Sequence, residues 1–171
     1  MKSNFYDSDQ WAYSSRLIDS FHALLTEYTR FPKELQTAHT ETKLQVDGDW
    51  QQIVFLRKGQ VHTANCKAFP TVQKLINELP IYDNCMISII GPNTKLHPHP
   101  GHSDQHLRVH LCLATHGGAY MKIGNDQQEW ATGKIMIFQD SEIHEVTNTA
   151  PHERVVLLFD IKREDYFDNC I

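Results

Sequence analysis

A chain of 171 residues is long enough to bury a real core, and with 40% hydrophobic and 22% charged residues it reads as one soluble globular domain. Its net charge of −5, with Lys and Arg scattered, argues against nucleic acid as a partner. The longest apolar runs, 86–90 and 155–159, are too short to span a membrane, so no membrane partner is expected. The first residues lack the apolar stretch of a signal peptide. Cys66, Cys85, Cys112 and Cys170 stand far apart without a C-x-x-C pair, as reduced thiols of a cytoplasmic protein would.

Asp7-Ser8-Asp9 offers a helix N-cap. Trp11, Leu17, Ile18, Phe21, Leu24, Leu25 and Tyr28 follow at helical spacing, which predicts a helix over about 9–29 that stops before Pro32. Residues 44–46 and 50–56 read as strands around the turn Asp47-Gly48-Asp49. Lys58-Gly59 turns the chain into a further strand, 60–64. Pro70-Thr71 opens a helix over 72–79 that Pro80 ends. From Cys85 onward strand follows strand: 86–90, 107–113, 119–123, 128–131, 134–138, 144–148 and 154–161, with glycine-rich turns between several of them. In 107–113 the alternation is clean. Leu107, Val109, Leu111 and Leu113 share one face, Arg108, His110 and Cys112 the other. Short strands without crossover helices predict an antiparallel sandwich or barrel. The helical part should pack on its outside, so that 1–84 elaborates a β core over 85–161 within a single domain.

The chemistry concentrates in residues 96–110, which hold five of the eleven histidines. Imidazole is the commonest protein metal ligand. On a regular strand His97 and His99 would share a face, as would Arg108 and His110. A buried arginine needs a partner. For Arg108 that is either a structural ion pair or a bound anion.

Two motifs organise these residues. Gly91-x5-His97-x-His99 resembles the first motif of the cupin superfamily, with Asp104 as the nearest carboxylate in place of its Glu. Gly133, His144 and Asn148 resemble the second motif, with Gln139 and Ser141 replacing its Pro and Gly. The resemblance implies a double-stranded β-helix, or jelly roll, that brings His99 and His144 together.

A narrower set is Ser88, His99-x-Gly101, Leu107-Arg108-x-His110, Phe138-x-Asp140-Ser-x-x-His144-Glu-Val, and Arg154 ten residues past His144. This set resembles the aspartyl/asparaginyl β-hydroxylase family of iron- and 2-oxoglutarate-dependent oxygenases. The resemblance implies that His99 and His144 bind Fe(II). Arg154 would fork onto the far carboxylate of 2-oxoglutarate with help from Ser88. Arg108 and His110 would lie near its iron-bound end. The implied reaction uses O2, converts 2-oxoglutarate to succinate and CO2, and hydroxylates an unactivated carbon, the β-carbon of an aspartyl or asparaginyl substrate, free or in a peptide. In the wider oxygenase pattern a carboxylate follows the first His by two residues. Here that position is Gly101, as in the β-hydroxylase group, which leaves Asp104 or Asp140 open as an added ligand.

Other readings remain at this point. A cupin-type dioxygenase or isomerase would use His97, His99, Asp104 and His144 without 2-oxoglutarate, and a non-catalytic jelly roll would bind a small anion. Arg154 has a structural alternative in a salt bridge to Glu153 or Asp160. His97, His102, His106 and His116 are expected at the surface or behind the ligands. Asp140 and Glu145 flank the second ligand, and the sequence leaves their roles and the oligomeric state open.

Overall fold

In the computed structural model, which describes residues 4–101 and 103–168, the chain opens on strand β1 (Phe5–Tyr6) and a 3-10 turn (Ser8–Gln10). Helices α1 (Ser14–Asp19) and α2 (Phe21–Arg30) follow. Next come β2 (Thr37–Ala38), β3 (Gln45–Asp47), β4 (Trp50–Arg57) and β5 (Gln60–Val61), then α3 (Thr63–Ala68) and α4 (Pro70–Glu78). The remainder is β6 (Ile81–Ile90), β7 (Thr94–His99), β8 (His106–Ala114), β9 (Ala119–Ile123), β10 (Asp126–Glu129), β11 (Ile135–Gln139), β12 (His144–Asn148), β13 (Arg154–Lys162) and a short α5 (Arg163–Phe167). His102, Cys170 and the first three residues, all part of the expectations above, lie outside the described residues.

The strands form two antiparallel sheets. The larger runs β1-β11-β8-β13-β6-β4-β2, with β5 beside β4; the smaller runs β10-β9-β12-β7-β3. This is the expected jelly roll, with helices on its outside. The alternation of β8 sorts the core into two layers. Leu107, Val109, Leu111 and Leu113, with Phe55, Ile87 and Phe159, pack against Leu17, Leu24, Phe69 and Leu75 of the helices. Cys112, with Trp50, Met86, Phe138 and Leu158, meets Leu96, Met121 and Val146 of the smaller sheet. Each fully buried Leu or Phe contributes about 2 kcal/mol of transfer free energy. The sheets do not respect a division at residue 85. β4 pairs along β6 inside the larger sheet, and β3 joins the smaller one through β7.

Two elements differ from expectation. The helix predicted over 9–29 is a 3-10 turn and two helices that meet at Ser20. The Ser20 hydroxyl donates to the Arg16 carbonyl at 3.1 Å and accepts from Arg16 Nη1 at 2.8 Å, the kind of back-bonding that bends a helix. The strand predicted over 60–64 ends at Val61, and α3 begins at Thr63. Asn65 Nδ2 donates to the Val54 carbonyl at 2.7 Å, so a bond to β4 overrides the local β pattern. Cys66, Cys85 and Cys112 are buried, free thiols. Among the described residues no helix is long and apolar enough to cross a membrane.

Candidate active site

His99 closes β7 and His144 opens β12, and the two are cross-strand partners. Regular alternation would have put His97 beside His99. Instead Leu96 pairs with Val146 and His99 with His144, so β7 carries one extra residue around Pro98. This bulge turns His99 towards His144 and leaves His97 exposed. The imidazole centroids are 4.4 Å apart. Nδ1 of His99 donates to the His97 carbonyl at 2.6 Å, and Nδ1 of His144 to the Glu142 carbonyl at 2.8 Å. A carbonyl only accepts, so both Nδ1 atoms carry the proton and both Nε2 atoms keep a lone pair for a metal. Burial lowers the pKa of His144, against the pull of the Glu142 carbonyl and Asp140, and favours the neutral, ligating form.

Among the described residues no group of three His, Cys, Asp or Glu side chains is gathered around a metal position. Asp140 comes nearest, with Oδ1 3.8 Å from His144 Nε2. Asp104 is exposed on a turn, where its backbone carbonyl accepts from Gln139. The four-residue set of the plain cupin reading, His97, His99, Asp104 and His144, is therefore not assembled. Glu145 faces away, towards Lys95 and Lys122. Asn148 serves the frame, with Nδ2 donating to the carbonyls of Ile90, Gly91 and His152.

Arg108 lines the cavity with its charge already matched. Its Nε and Nη2 donate to the two oxygens of Asp160 at 2.8 and 3.2 Å, and Nη1 lies 2.7 Å from Asp140 Oδ1. Burial opposes the guanidinium charge, but Asp160 and Asp140 outweigh it and raise the pKa above the ordinary range. β6 bulges at Asp83 and Asn84, which sends Asn84 Nδ2 to Asp160 at 3.0 Å. The structural ion pair left open for Arg108 is the one that forms.

Arg154 is the opposite case. It is 2% exposed, and among the described residues its Nε and Nη1 have no hydrogen-bond partner. Neither carboxylate named as its structural alternative reaches it. Glu153 accepts from the Tyr28 hydroxyl and Asp160 holds Arg108. Its guanidinium carbon lies 4.5 Å from the centroid of the Trp130 ring. Burial pulls its pKa down to about 10. His110 is also buried, with Nδ1 accepting from Trp130 Nε1 at 3.3 Å and Nε2 unpartnered. Burial and the neighbouring Arg154 push its pKa well below the usual histidine value. Ser88 Oγ accepts from Trp50 Nε1 at 3.1 Å. His39 stacks on Trp50 with ring centroids 3.4 Å apart, and burial holds it neutral with a pKa of about 3.

One cavity of about 440 Å³ takes in His99, His144, Ser88, Arg108, His110 and Arg154, and its lining extends to His39, Glu41, Arg57, Lys58 and Asp83. All six residues singled out from the sequence therefore line it. Trp50, Trp130 and His39 were missed, and Asp160 was named only as a partner for Arg154. Each acts through a partner distant in the chain, and no local spacing marks them. The donor set suits a divalent metal at two neutral imidazoles. The orphaned guanidinium and imidazole nitrogens suit an anion beside it.

The model of the aspartyl/asparaginyl beta-hydroxylase family matches residues 16–164. The chain is 31% identical over 127 residues to human aspartyl/asparaginyl beta-hydroxylase, covering 71% of this chain and 17% of that protein. It is 27% identical over 175 residues to mouse aspartate beta-hydroxylase domain-containing protein 2, covering 92% of this chain and 50% of the relative. The chain thus spans half or less of the length of these curated relatives. In fold it is similar to an oxidoreductase of the 2OG-Fe(II) oxygenase family from Burkholderia pseudomallei. The TM-score is 0.57 at 16% identity, covering 89% of this chain and 83% of that one. With its two histidines, its buried arginine and a family match over most of its length, the chain belongs to the aspartyl/asparaginyl beta-hydroxylase family.

Proposed function

We propose that the protein is an Fe(II)- and 2-oxoglutarate-dependent oxygenase. It hydroxylates an unactivated carbon, the β-carbon of an aspartyl, asparaginyl or similar amino-acid substrate, free or in a peptide. The observation that carries this reading is Arg154, a buried cation without a carboxylate partner in the cavity that holds His99 and His144. An unpaired buried charge is too costly to keep for packing alone. Family membership and the oxygenase-like fold support the same reading. The buried, free thiols suit a cytoplasmic location.

His99 and His144 would hold the iron through their Nε2 atoms. Arg154 would grip the far carboxylate of 2-oxoglutarate through its planar fork, a geometry lysine cannot offer, and Ser88 would add a hydroxyl donor. His110 would donate from Nε2 towards the metal-proximal end. Arg108, fixed between Asp160 and Asp140, would keep the wall beside the ligands rigid. The iron with 2-oxoglutarate would supply the oxidation by O2, coupled to loss of CO2 and formation of succinate. The cavity falls within the usual range of 300–1,000 Å³ for small-molecule sites. Its lining, with Arg57 and Lys58 beside Glu41 and Asp83, offers both signs of charge to a zwitterionic or peptide substrate.

The test is succinate formation from 2-oxoglutarate in the presence of Fe(II), O2 and a panel of aspartyl and asparaginyl amides and peptides. The expected result is iron-dependent succinate that His144→Ala and Arg154→Ala both lose. Succinate yield unchanged by Arg154→Ala, or none with any member of the panel, would overturn the reading.

A further inference from the structure

The cavity holds a pattern that the ligand residues alone do not explain. Two buried tryptophans, Trp50, which itself lines the cavity, and Trp130, beneath Arg154, each give the indole N–H to a residue that lines it. Trp50 donates to Ser88 Oγ and Trp130 to His110 Nδ1. An indole nitrogen can only donate. His110 Nδ1 must therefore be the unprotonated nitrogen, and in the neutral ring the single proton sits on Nε2, the atom left without a partner. Ser88 accepts from Trp50, so its own hydroxyl hydrogen is left for an acceptor in the cavity. Trp130 also underlies the Arg154 guanidinium, whose free Nε and Nη1 are donors as well. Ser88, His110 and Arg154 thus all offer hydrogens.

We propose that Trp50 and Trp130 are positioning residues that set the hydrogen-bond polarity of the cavity. The Trp130 indole fixes the His110 tautomer that presents Nε2–H, the Trp50 indole occupies a lone pair of Ser88, and with Arg154 they form a cluster of donors on one side of the cavity that selects a carboxylate-bearing cosubstrate. This rests on the reading that 2-oxoglutarate is that cosubstrate. It adds two residues that act through the hydrogen bonds they give to Ser88 and His110. Without the Trp130 N–H, His110 is free to adopt the other tautomer and turn a lone pair towards a carboxylate. Without the Trp50 N–H, Ser88 is free to spend its hydrogen elsewhere. A plain packing role for the tryptophans predicts neither change.

The experiment has two readouts. The first is the His110 tautomer in the metal-free protein, from long-range ¹⁵N–¹H correlation spectra, with the ring signals assigned by their loss in His110→Gln. The wild type is expected to carry the proton on Nε2, and Trp130→Phe to shift it towards Nδ1. The wild-type spectrum tests the assignment even if the variant does not fold. The second is the dissociation constant of 2-oxoglutarate in the presence of Mn(II) as a redox-inert probe of the metal position. Trp130→Phe and Trp50→Phe are each expected to weaken binding about tenfold, the size of one good hydrogen bond. Trp50→Phe should add little in a Ser88→Ala background, because both changes remove the same donor. A wild-type His110 protonated on Nδ1, or Phe variants that bind 2-oxoglutarate as tightly as the wild type, would overturn the inference. A wild type with the Nε2 tautomer that does not bind 2-oxoglutarate would overturn the functional reading and leave the polarity assignment standing.

Discussion

The carboxylate of Asp140 fills the space that a side chain at Gly101 would need. A Cβ placed on Gly101 would lie 1.7 Å from Asp140 Oδ2 and 2.8 Å from the Asp140 carbonyl oxygen. The Gly101 N–H donates to that same carbonyl at 2.7 Å. The position where the wider oxygenase pattern carries a ligand carboxylate is thus closed by a neighbour that brings its own. That neighbour is held by Arg108 and lies 3.8 Å from His144 Nε2. The departure at Gly101 is part of the packing, since glycine alone lets the two segments approach this closely.

Restoring the missing carboxylate should therefore fail. Gly101→Asp has to push the Asp140 backbone away, and overpacking of this kind costs about 2–3 kcal/mol. The expected outcome is a melting temperature lower by roughly 5–10 °C, with weaker Fe(II) binding. Thermal unfolding and a metal titration check it. A variant as stable as the wild type that binds iron more tightly would contradict the packing argument.

Arg154 should be a burden on the ligand-free protein. Removing a buried, unpartnered charge while keeping its volume is neutral to stabilising, so Arg154→Met should raise the stability of the apoprotein by about 2 kcal/mol. The same variant should lose the stabilisation by 2-oxoglutarate, which for the wild type is about 2.7 kcal/mol at a hundredfold excess over the dissociation constant. Denaturant unfolding with and without the cosubstrate reads both effects.

Arg108 makes the contrasting prediction. Asp160 and Asp140 together match its charge, and Asp160 takes two of the three contacts, so removing Asp160 leaves the guanidinium held by Asp140 alone. Asp160→Ala should destabilise the protein by about 2–3 kcal/mol, and a double-mutant cycle with Arg108→Met should return a coupling of at least about 1 kcal/mol, read by denaturant unfolding. A coupling near zero in that cycle would show that the pair contributes nothing as a pair.

His39 links stability to acid. Its pKa of about 3 in the folded protein lies below the ordinary 6.5, chiefly because it is buried against Trp50. Between these values the unfolded chain binds a proton that the folded protein does not. Stability therefore rises with pH across this window and falls as pH drops through it. His39→Phe keeps the stacking and removes the titration. The slope of unfolding free energy between pH 4 and 6 should decrease by about 1.4 kcal/mol per pH unit, measured by urea unfolding at each pH.

Much of this site could be read from local pattern. The period of two in β8 separated Arg108 and His110 from the leucines that face the helices, and the resemblance to the family's motif set singled out His144 and Arg154, which line one cavity. What could not be read depends on register between distant segments. Arg108 meets Asp160 because β8 and β13 pair them directly, 52 residues apart in the chain. Trp50 meets Ser88 across β4 and β6, 38 residues away. Alternation alone would face His97 and His99 the same way, and the bulge around Pro98 breaks it and leaves His97 exposed. Ser20 divided a helix whose apolar stripe runs on through the break. In each case a long-range pairing or a single side-chain hydrogen bond decided what periodicity left even.

The most direct test of the central claim is an anaerobic titration of the purified protein with Fe(II) and 2-oxoglutarate, followed by the weak visible charge-transfer absorption of the chelate. A band in the wild type that is lost in both His144→Ala and Arg154→Ala is the predicted result, since on this proposal one residue would hold the metal and the other the cosubstrate. Iron binding without the band, or a band that Arg154→Ala retains at the same cosubstrate concentration, would contradict it.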